Sequence, residues 1–467
     1  MRRRDFLKGA LSLAAASAVS PSFLKADVIP DDGTTLLPLD KVKFNANLFA
    51  SNDAQTIVVF LGGGMSEVVG NTKHIKEIRD EKLSLLPYQD GEFDKGSTTL
   101  NSSTENYFWS EAGGTFLEKM LSNGDLNLFR TCYRKNASVA HGINQKRYAH
   151  GNDKGYDSGI VATIMHVLHQ NGAVSESAKL TNVAIDGGFY KLLEDNAAPT
   201  ALPGFLKPIS FNRNFDNPYN YKKDSEGRVD LGDYSCNKIF NNADFDNRLN
   251  ALMLRHNKYD ALSDVINYRR EISDFIEDVK NVELPVEYPS TVDGRKFEAA
   301  MRILTNNPDT KIVTIQGGHS GWDDHSDGIK NHKARAYELF EAIDRAVEHA
   351  NYLGKDNISI VLFGDFGRNM NINSAYGWDH GNNQNVYWFG GKRFFNRLGI
   401  VGETELHVWL KKARLYTRPT KESYQFSAMS IAATLYRLYG ITNPEVLTGG
   451  YGVIDPSQYV GKSFIKS

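Results

Sequence analysis

The run Thr56-Ile-Val-Val-Phe-Leu61, closed by Gly62-Gly63-Gly64, constrains this chain more than any other feature. A short, continuous stretch of apolar and β-branched residues bounded by glycine reads as a strand buried on both faces, and such strands belong to parallel sheets covered by helices. The pattern recurs. Lys311-Ile-Val-Thr-Ile315 leads to Gly317-Gly318, and Ile358 to Phe363 leads to Gly364. Leu126 to Thr131 and Val183 to Ile185 read as further strands. Helices are predicted over Phe116 to Leu121, Ser158 to Gln170 and Lys333 to Leu353. The last carries Leu339, Phe340, Ile343, Val347 and Ala350 on one face and stops at Gly354. A final helix from Gln425 to Tyr439 stops at Gly440, with Pro444 beyond. Strand, helix and strand in this order make βαβ units. The expected fold is therefore α/β, with a mostly parallel central sheet and helices on both faces.

Two regions depart from that rhythm. Pro203 to Tyr234 is rich in Asn, Asp, Tyr and Gly without periodicity, and Ala243 to Lys280 turns helical, with Leu249, Leu252, Met253, Leu262, Val265 and Ile266 near 3.6-residue spacing. Together they read as a helical and loop insertion at about 203–282. At the N-terminus, Arg2-Arg3-Arg4 precede Asp5-Phe6-Leu7-Lys8 and an apolar run from Ala10 to Val19. That run is shorter than the roughly 20 apolar residues a membrane-spanning helix needs. Residues 1–26 thus read as a cleavable twin-arginine export signal, cut after Ala18 or Ala26. Residues 27–467 become the α/β domain, working in the periplasm, at the cell surface or beyond, with the twin-arginine translocase as its partner during export. No later apolar stretch reaches membrane-spanning length, so no integral membrane segment is expected after cleavage. A net charge of −2 supplies no field for nucleic acid. The two cysteines, Cys132 and Cys236, leave open a disulfide or two buried thiols, and they form no zinc-finger spacing.

Ligands of open parallel sheets bind beyond the C-terminal ends of the strands. Here those ends carry Gly62-Gly63-Gly64-Met65-Ser66-Glu67, Gly317-Gly318-His319-Ser320-Gly321-Trp322-Asp323-Asp324-His325 and Gly364-Asp365-Phe366-Gly367-Arg368-Asn369. A fourth loop holds Trp378-Asp379-His380-Gly381. Carboxylates and imidazoles are the donors that bind zinc, manganese and similar ions. Taken alone, Asp365-Phe366-Gly367 is turn chemistry, and His332 and His349 read as helix-surface residues. Asp323 with His325, just beyond a strand, is the stronger signal.

These motifs resemble an exported bacterial family, the "domain of unknown function 1501" proteins. The matching residues are Phe60-Leu61-Gly62-Gly63, Gly321-Trp322-Asp323-Asp324-His325, Asp365-Phe366-Gly367-Arg368 and Asp379-His380-Gly381. That family is in turn similar to the alkaline phosphatase and sulfatase superfamily. The resemblance implies an alkaline-phosphatase-like sheet and metal-dependent hydrolysis of an anionic phosphate or sulfate ester. It implies a divalent metal, zinc first, with manganese or calcium as alternatives. Asp323, His325 and His380 would share one metal position, and Asp365 would serve a neighbouring one. Arg368 would hold an anionic oxygen, and Ser138, near His141, would be the nucleophile. The chain departs from the pattern at Ser66, where an Asp is usual and adjacent Glu67 would have to replace it, and at Phe366, where the superfamily often has His. Those departures support a second expectation: a catalytically degenerate relative that binds an envelope partner or builds a surface structure.

Overall fold

The computed structural model describes residues 35–49, 52–74, 77–78, 108–134, 140–218, 260–317, 321–409 and 414–466. The signal segment, Ser138, Cys236 and His319 lie outside them. Eight strands form the central sheet: β1 Gln55–Leu61, β2 Leu126–Tyr133, β3 Asn182–Ile185, β4 Ile209–Phe211, β5 Ile312–Gln316, β6 Ile358–Gly364, β9 Asn383–Gly390 and β10 Ile400–Val401. Their order across the sheet is β10-β2-β9-β6-β1-β5-β3-β4. Every neighbouring pair is parallel except those made by β9, which runs against both β2 and β6. Two short ribbons stand apart from it. One pairs β7 Gly367–Arg368 with β8 His380–Gly381, and the other pairs β11 Thr404–Trp409 with β12 Arg414–Pro419.

The central strand explains the architecture. All seven residues of β1 are buried, and their side chains alternate between faces. Ile57, Val59 and Leu61 join one apolar layer, and Val58 and Phe60 join the other. In chain order, the helices used below are α1 Glu67–Gly70, α2 Gly114–Asn123, α3 His141–His150, α4 Ile160–Gln170, α5 Asp260–Lys280, α6 Val292–Asn306, α7 Gly328–Tyr352 and α8 Met429–Leu438. The first layer takes Phe297 from α6 and Leu339 and Ile343 from α7; the second takes Ile164 from α4 and Leu435 from α8. Each such side chain, fully buried, stabilises the fold by about 1.5–3 kcal/mol.

Three expectations need correction. The segment from residue 203 is no separate insertion at its start, because β4 extends the sheet edge beside β3. Its far end is also built into the body: Ile272, Ile276 and Val279 of α5 are core residues, and Arg302 of α6 donates to the Val279 and Val282 carbonyls. Second, α7 begins at Gly328, earlier than Lys333, and its first turns carry His332 into the interior. Third, neither His332 nor His349 is a surface residue. His332 lies between the rings of Trp322 and Trp378 and bonds Asp324 through Nδ1 at 2.9 Å, while His349 meets the Tyr288 hydroxyl at 3.0 Å. Both imidazoles are amphipathic enough to pack when one nitrogen finds a partner.

Candidate metal centre

Four loops converge at the C-terminal ends of β1, β5 and β6. Gly63 makes the convergence possible. Its φ of +111° is open to glycine, a Cβ there would meet the Asp323 nitrogen at 2.3 Å, and its own N–H donates to Asp365 Oδ1 at 2.9 Å. Trp322 anchors the loop after β5, with its main-chain N–H on the Gly62 carbonyl at 2.8 Å and its indole N–H on the Gly317 carbonyl at 3.0 Å. Trp378 anchors the fourth loop by donating to the Asp324 carbonyl at 3.2 Å.

Arg368 is buried at the junction of these loops. Its guanidinium donates to the carbonyls of Gly63, Gly64, Trp322 and Trp378 and to Asp323 Oδ1. These bonds knot the loops together through the protein's own main chain.

Against that knot, His141, Asp323, His325 and His380 bring four donor atoms to within 4.8 Å of one another. Asp323 Oδ1 lies 3.1 Å from His141 Nε2, 3.0 Å from His325 Nε2 and 3.4 Å from His380 Nε2, and the last two nitrogens are 3.0 Å apart. Atoms about 2.0–2.1 Å from a tetrahedral zinc ion are themselves about 3.3 Å apart, so the spacing suits one ion at their centre. Proton bookkeeping points the same way. His141 Nδ1 faces Asp365 Oδ2 at 2.6 Å, and His325 Nδ1 faces Asp379 Oδ1 at 3.1 Å. Each carboxylate accepts a hydrogen bond from an Nδ1–H, and in that tautomer Nε2 carries the lone pair. His141 Nε2 is a buried atom with no hydrogen-bond partner. Lone pairs of imidazole and carboxylate aimed at one point repel unless a cation separates them.

The carboxylates divide by environment. Partial burial pushes Asp323 up, but Arg368, with His141 and His325 behind it, outweighs this and holds it down at about 2, so it is ionised at neutral pH. Burial raises Asp365, opposed by the bonds from His141 and Gly63. Asp365 also accepts from Gln145 at 3.2 Å. It stands behind His141, 2.6 Å from Nδ1, and braces that ring.

Glu67 does not join the cluster. It is buried, and its Oε1 accepts from Asn383 Nδ2 at 2.8 Å and Thr417 Oγ1 at 2.6 Å. Burial raises its pKa to about 7 against these bonds and the Arg130 charge. Ser66 is also buried, and its Oγ caps α1 by accepting from Val68 at 3.3 Å. The Phe366 ring packs 4.6 Å from that of His141 and 4.4 Å from that of His380. It gives the centre an apolar wall in place of a donor. His141 entered the sequence reading only as an accessory to Ser138. It starts α3, a helix whose polar sequence has weak periodicity, and its distance in sequence from Asp323, His325 and His380 hid its place in the cluster.

A second cluster, His150 with Asp157 and Glu194, is a different object. The two nitrogens of His150 face opposite partners, Glu194 at 2.6 Å and Asp157 at 3.5 Å, and Lys146 stands 3.0 Å from Asp157. Within the protein, each carboxylate of this cluster already has a partner: His150 for Glu194, and His150 with Lys146 for Asp157.

Comparison with known proteins agrees with the motifs. Residues 290–406 match the family described as "Protein of unknown function (DUF1501)". No curated protein matches the sequence. Among solved structures, the chain is similar to the zinc complex of the C-terminal periplasmic domain of EcEptC from Escherichia coli, at 10% identity and a TM-score of 0.37, covering 92% of this chain and 96% of that one. It is similar to a protein in the alkaline phosphatase superfamily from Vibrio parahaemolyticus, at 10% identity and a TM-score of 0.34, over 94% of this chain and 77% of the other. A sulfatase from Pseudoalteromonas sp. aligns at 9% identity and a TM-score of 0.38, over 88% and 73% respectively.

Proposed function

We propose that this protein is an exported hydrolase of phosphate or sulfate esters that works with one divalent metal ion. The observation that carries the reading is the convergence of three imidazole nitrogens and one carboxylate oxygen at tetrahedral spacing, two of the imidazoles being oriented by Asp365 and Asp379. Three imidazoles favour zinc over calcium, which prefers six to eight oxygens. When bound, such an ion supplies Lewis acidity toward an ester oxygen. The protein's own groups do the rest. Asp365 and Asp379 keep His141 and His325 in the tautomer that presents Nε2. Arg368 holds Asp323 ionised and fixes the loops. The side chains of Asp323 and His325 are 44% and 46% exposed, so the centre is open to a substrate from solvent. Phe366, itself buried, packs its ring against His141 and His380. Ser138 remains the proposed nucleophile, three residues before His141 in the chain. Export by the twin-arginine route rests on Arg2 to Lys8.

A second reading keeps the metal and drops the turnover, leaving a protein that binds an envelope partner or anionic ligand. The specific observation in its favour is that Ser66, Glu67 and Asp365, the oxygens expected to serve a second ion beside the first, are all engaged in contacts with the protein itself. Elemental analysis of the purified protein, with assays on an aryl phosphate and an aryl sulfate, separates the two. Near-stoichiometric metal with turnover, both lost in His325→Ala, supports hydrolysis. Metal without turnover on either ester supports the second reading. Metal-free protein that stays inert when zinc, manganese or calcium is added sinks both.

A further inference from the structure

Asn373 lies where two ligand-bearing segments meet. It ends the tract Asn369-Met-Asn371-Ile-Asn373, which runs from the Arg368 knot toward the fourth loop. Its neighbours in the tract are tied down: the Asn369 N–H donates to the Asp379 carbonyl at 2.8 Å, and Asn371 Oδ1 accepts from Leu415 at 2.7 Å. The Asn373 amide does two different things with its two ends. Its Oδ1 accepts from the main chain of Ala375 at 2.9 Å and Gly377 at 3.0 Å, which makes a tight turn. Its Nδ2 leaves the turn and donates to the His325 carbonyl at 3.0 Å and to Asp379 Oδ1 at 3.4 Å. Asp379 Oδ1 is the oxygen that faces His325 Nδ1, and Arg414 holds the other oxygen at 3.3 Å.

The turn is pressed hard against the same segment. A Cβ on Gly377 would meet the His325 carbonyl carbon at 2.1 Å, and Asp327 and Gly328 donate to the Ala375 and Tyr376 carbonyls at 3.0 and 2.8 Å. Tyr376 takes a φ of +58°, a conformation that is unfavourable for a non-glycine residue and persists only when its surroundings impose it. The oxygen end of Asn373 is enough to make a turn. Its nitrogen end is the part that reaches the residues around the centre.

We propose that Asn373 is a positioning residue of the metal centre: its Nδ2 fixes Asp379 and the main chain of His325 together, and so aims the His325 Nε2 lone pair. This rests on the metal reading above. Outer partners of metal-bound histidines tune affinity by about 10–100-fold. Asn373 acts one step further out, through Asp379, so an effect of about tenfold is expected.

Asn373→Asp separates the two ends, because it keeps an oxygen for the turn and replaces the donor with a negative charge facing Asp379. Asn373→Ala removes both. The measurements are zinc affinity by chelator competition, the visible spectrum of the cobalt(II)-substituted protein, and thermal unfolding in chelator. The expected result is an Asp variant that melts near the wild type in chelator, binds zinc about tenfold more weakly and shows an altered cobalt spectrum. The Ala variant should lose both stability and affinity. An Asp variant with wild-type zinc affinity and cobalt spectrum overturns the proposal and leaves the metal centre standing. One that fails to fold assigns the donor end of Asn373 to holding the fold itself and also overturns it. Wild-type protein that takes up neither zinc nor cobalt overturns the metal reading beneath it.

Discussion

Two strand ends of the same sheet were expected to supply metal ligands, and they do opposite things with them. Beyond β5, Asp323 and His325 face His380 and His141 with lone pairs turned inward. Beyond β1, Ser66 and Glu67 offer comparable oxygens and use them up locally, one as a helix cap and the other in bonds to Asn383 and Thr417. Residue type alone does not separate these cases. What separates them is where the remaining hydrogen-bonding capacity points: braced from behind and open in front at the first site, satisfied on the spot at the second.

The largest test removes a ligand from the open site. Asp323→Ala should abolish stoichiometric zinc retention through desalting, measured by elemental analysis, whereas Glu67→Ala should leave the zinc content unchanged. Equal zinc loss in both would erase the distinction. Next, Arg368→Ala leaves several buried carbonyls without donors. It should destabilise the protein by about 3–5 kcal/mol in chemical denaturation, since one buried unpaired group already costs about 1–3 kcal/mol.

The closed site has its own signature in pH. Burial raises the folded pKa of Glu67 from 4.5 to about 7, so the folded state binds this proton more tightly than the unfolded state does. Its stabilising contribution is therefore full below pH 4.5 and is lost as pH rises to about 7, a change of up to about 3 kcal/mol. Glu67→Gln keeps an accepting oxygen without the charge. It should match the wild type in denaturant at pH 5 and exceed it at pH 8; a wild-type pH profile in the variant would count against the buried-acid account. The smallest effect falls on the brace. Asp365→Asn should weaken zinc binding by about 10–100-fold in chelator competition while stability in chelator changes little.

Much of this was legible in the chain because buried parallel strands are continuous apolar runs. Thr56 to Leu61, Lys311 to Ile315 and Ile358 to Phe363 announce themselves, and with them the loops that follow. The strand β9 did not, since Asn383, Gln384 and Asn385 open it with three polar residues. Their partners explain the disguise: Gln384 exchanges bonds with the main chain of Gly364, and Asn383 ties Glu67 to the Arg130 carbonyl. His141 was undervalued for a similar reason, as a member of the cluster brought in from a distant part of the chain by a polar helix. Arg368 was recognised as a residue of the site but not as a knot, because the carbonyls that hold it belong to loops no local pattern connects.

The reversed strand β9 also sets a timetable. Its hydrogen bonds join β2 to β6, and no other strand in the sheet does so. During synthesis β2 emerges early and must wait for residues 383–390 before it can be stitched to the strands on the far side. His380 sits on the threshold of that same strand, and of the four clustered residues only His141 precedes residue 320. Assembly of the cluster and closure of the sheet therefore become one late event, and a formed cluster certifies that the chain through residue 390 has arrived.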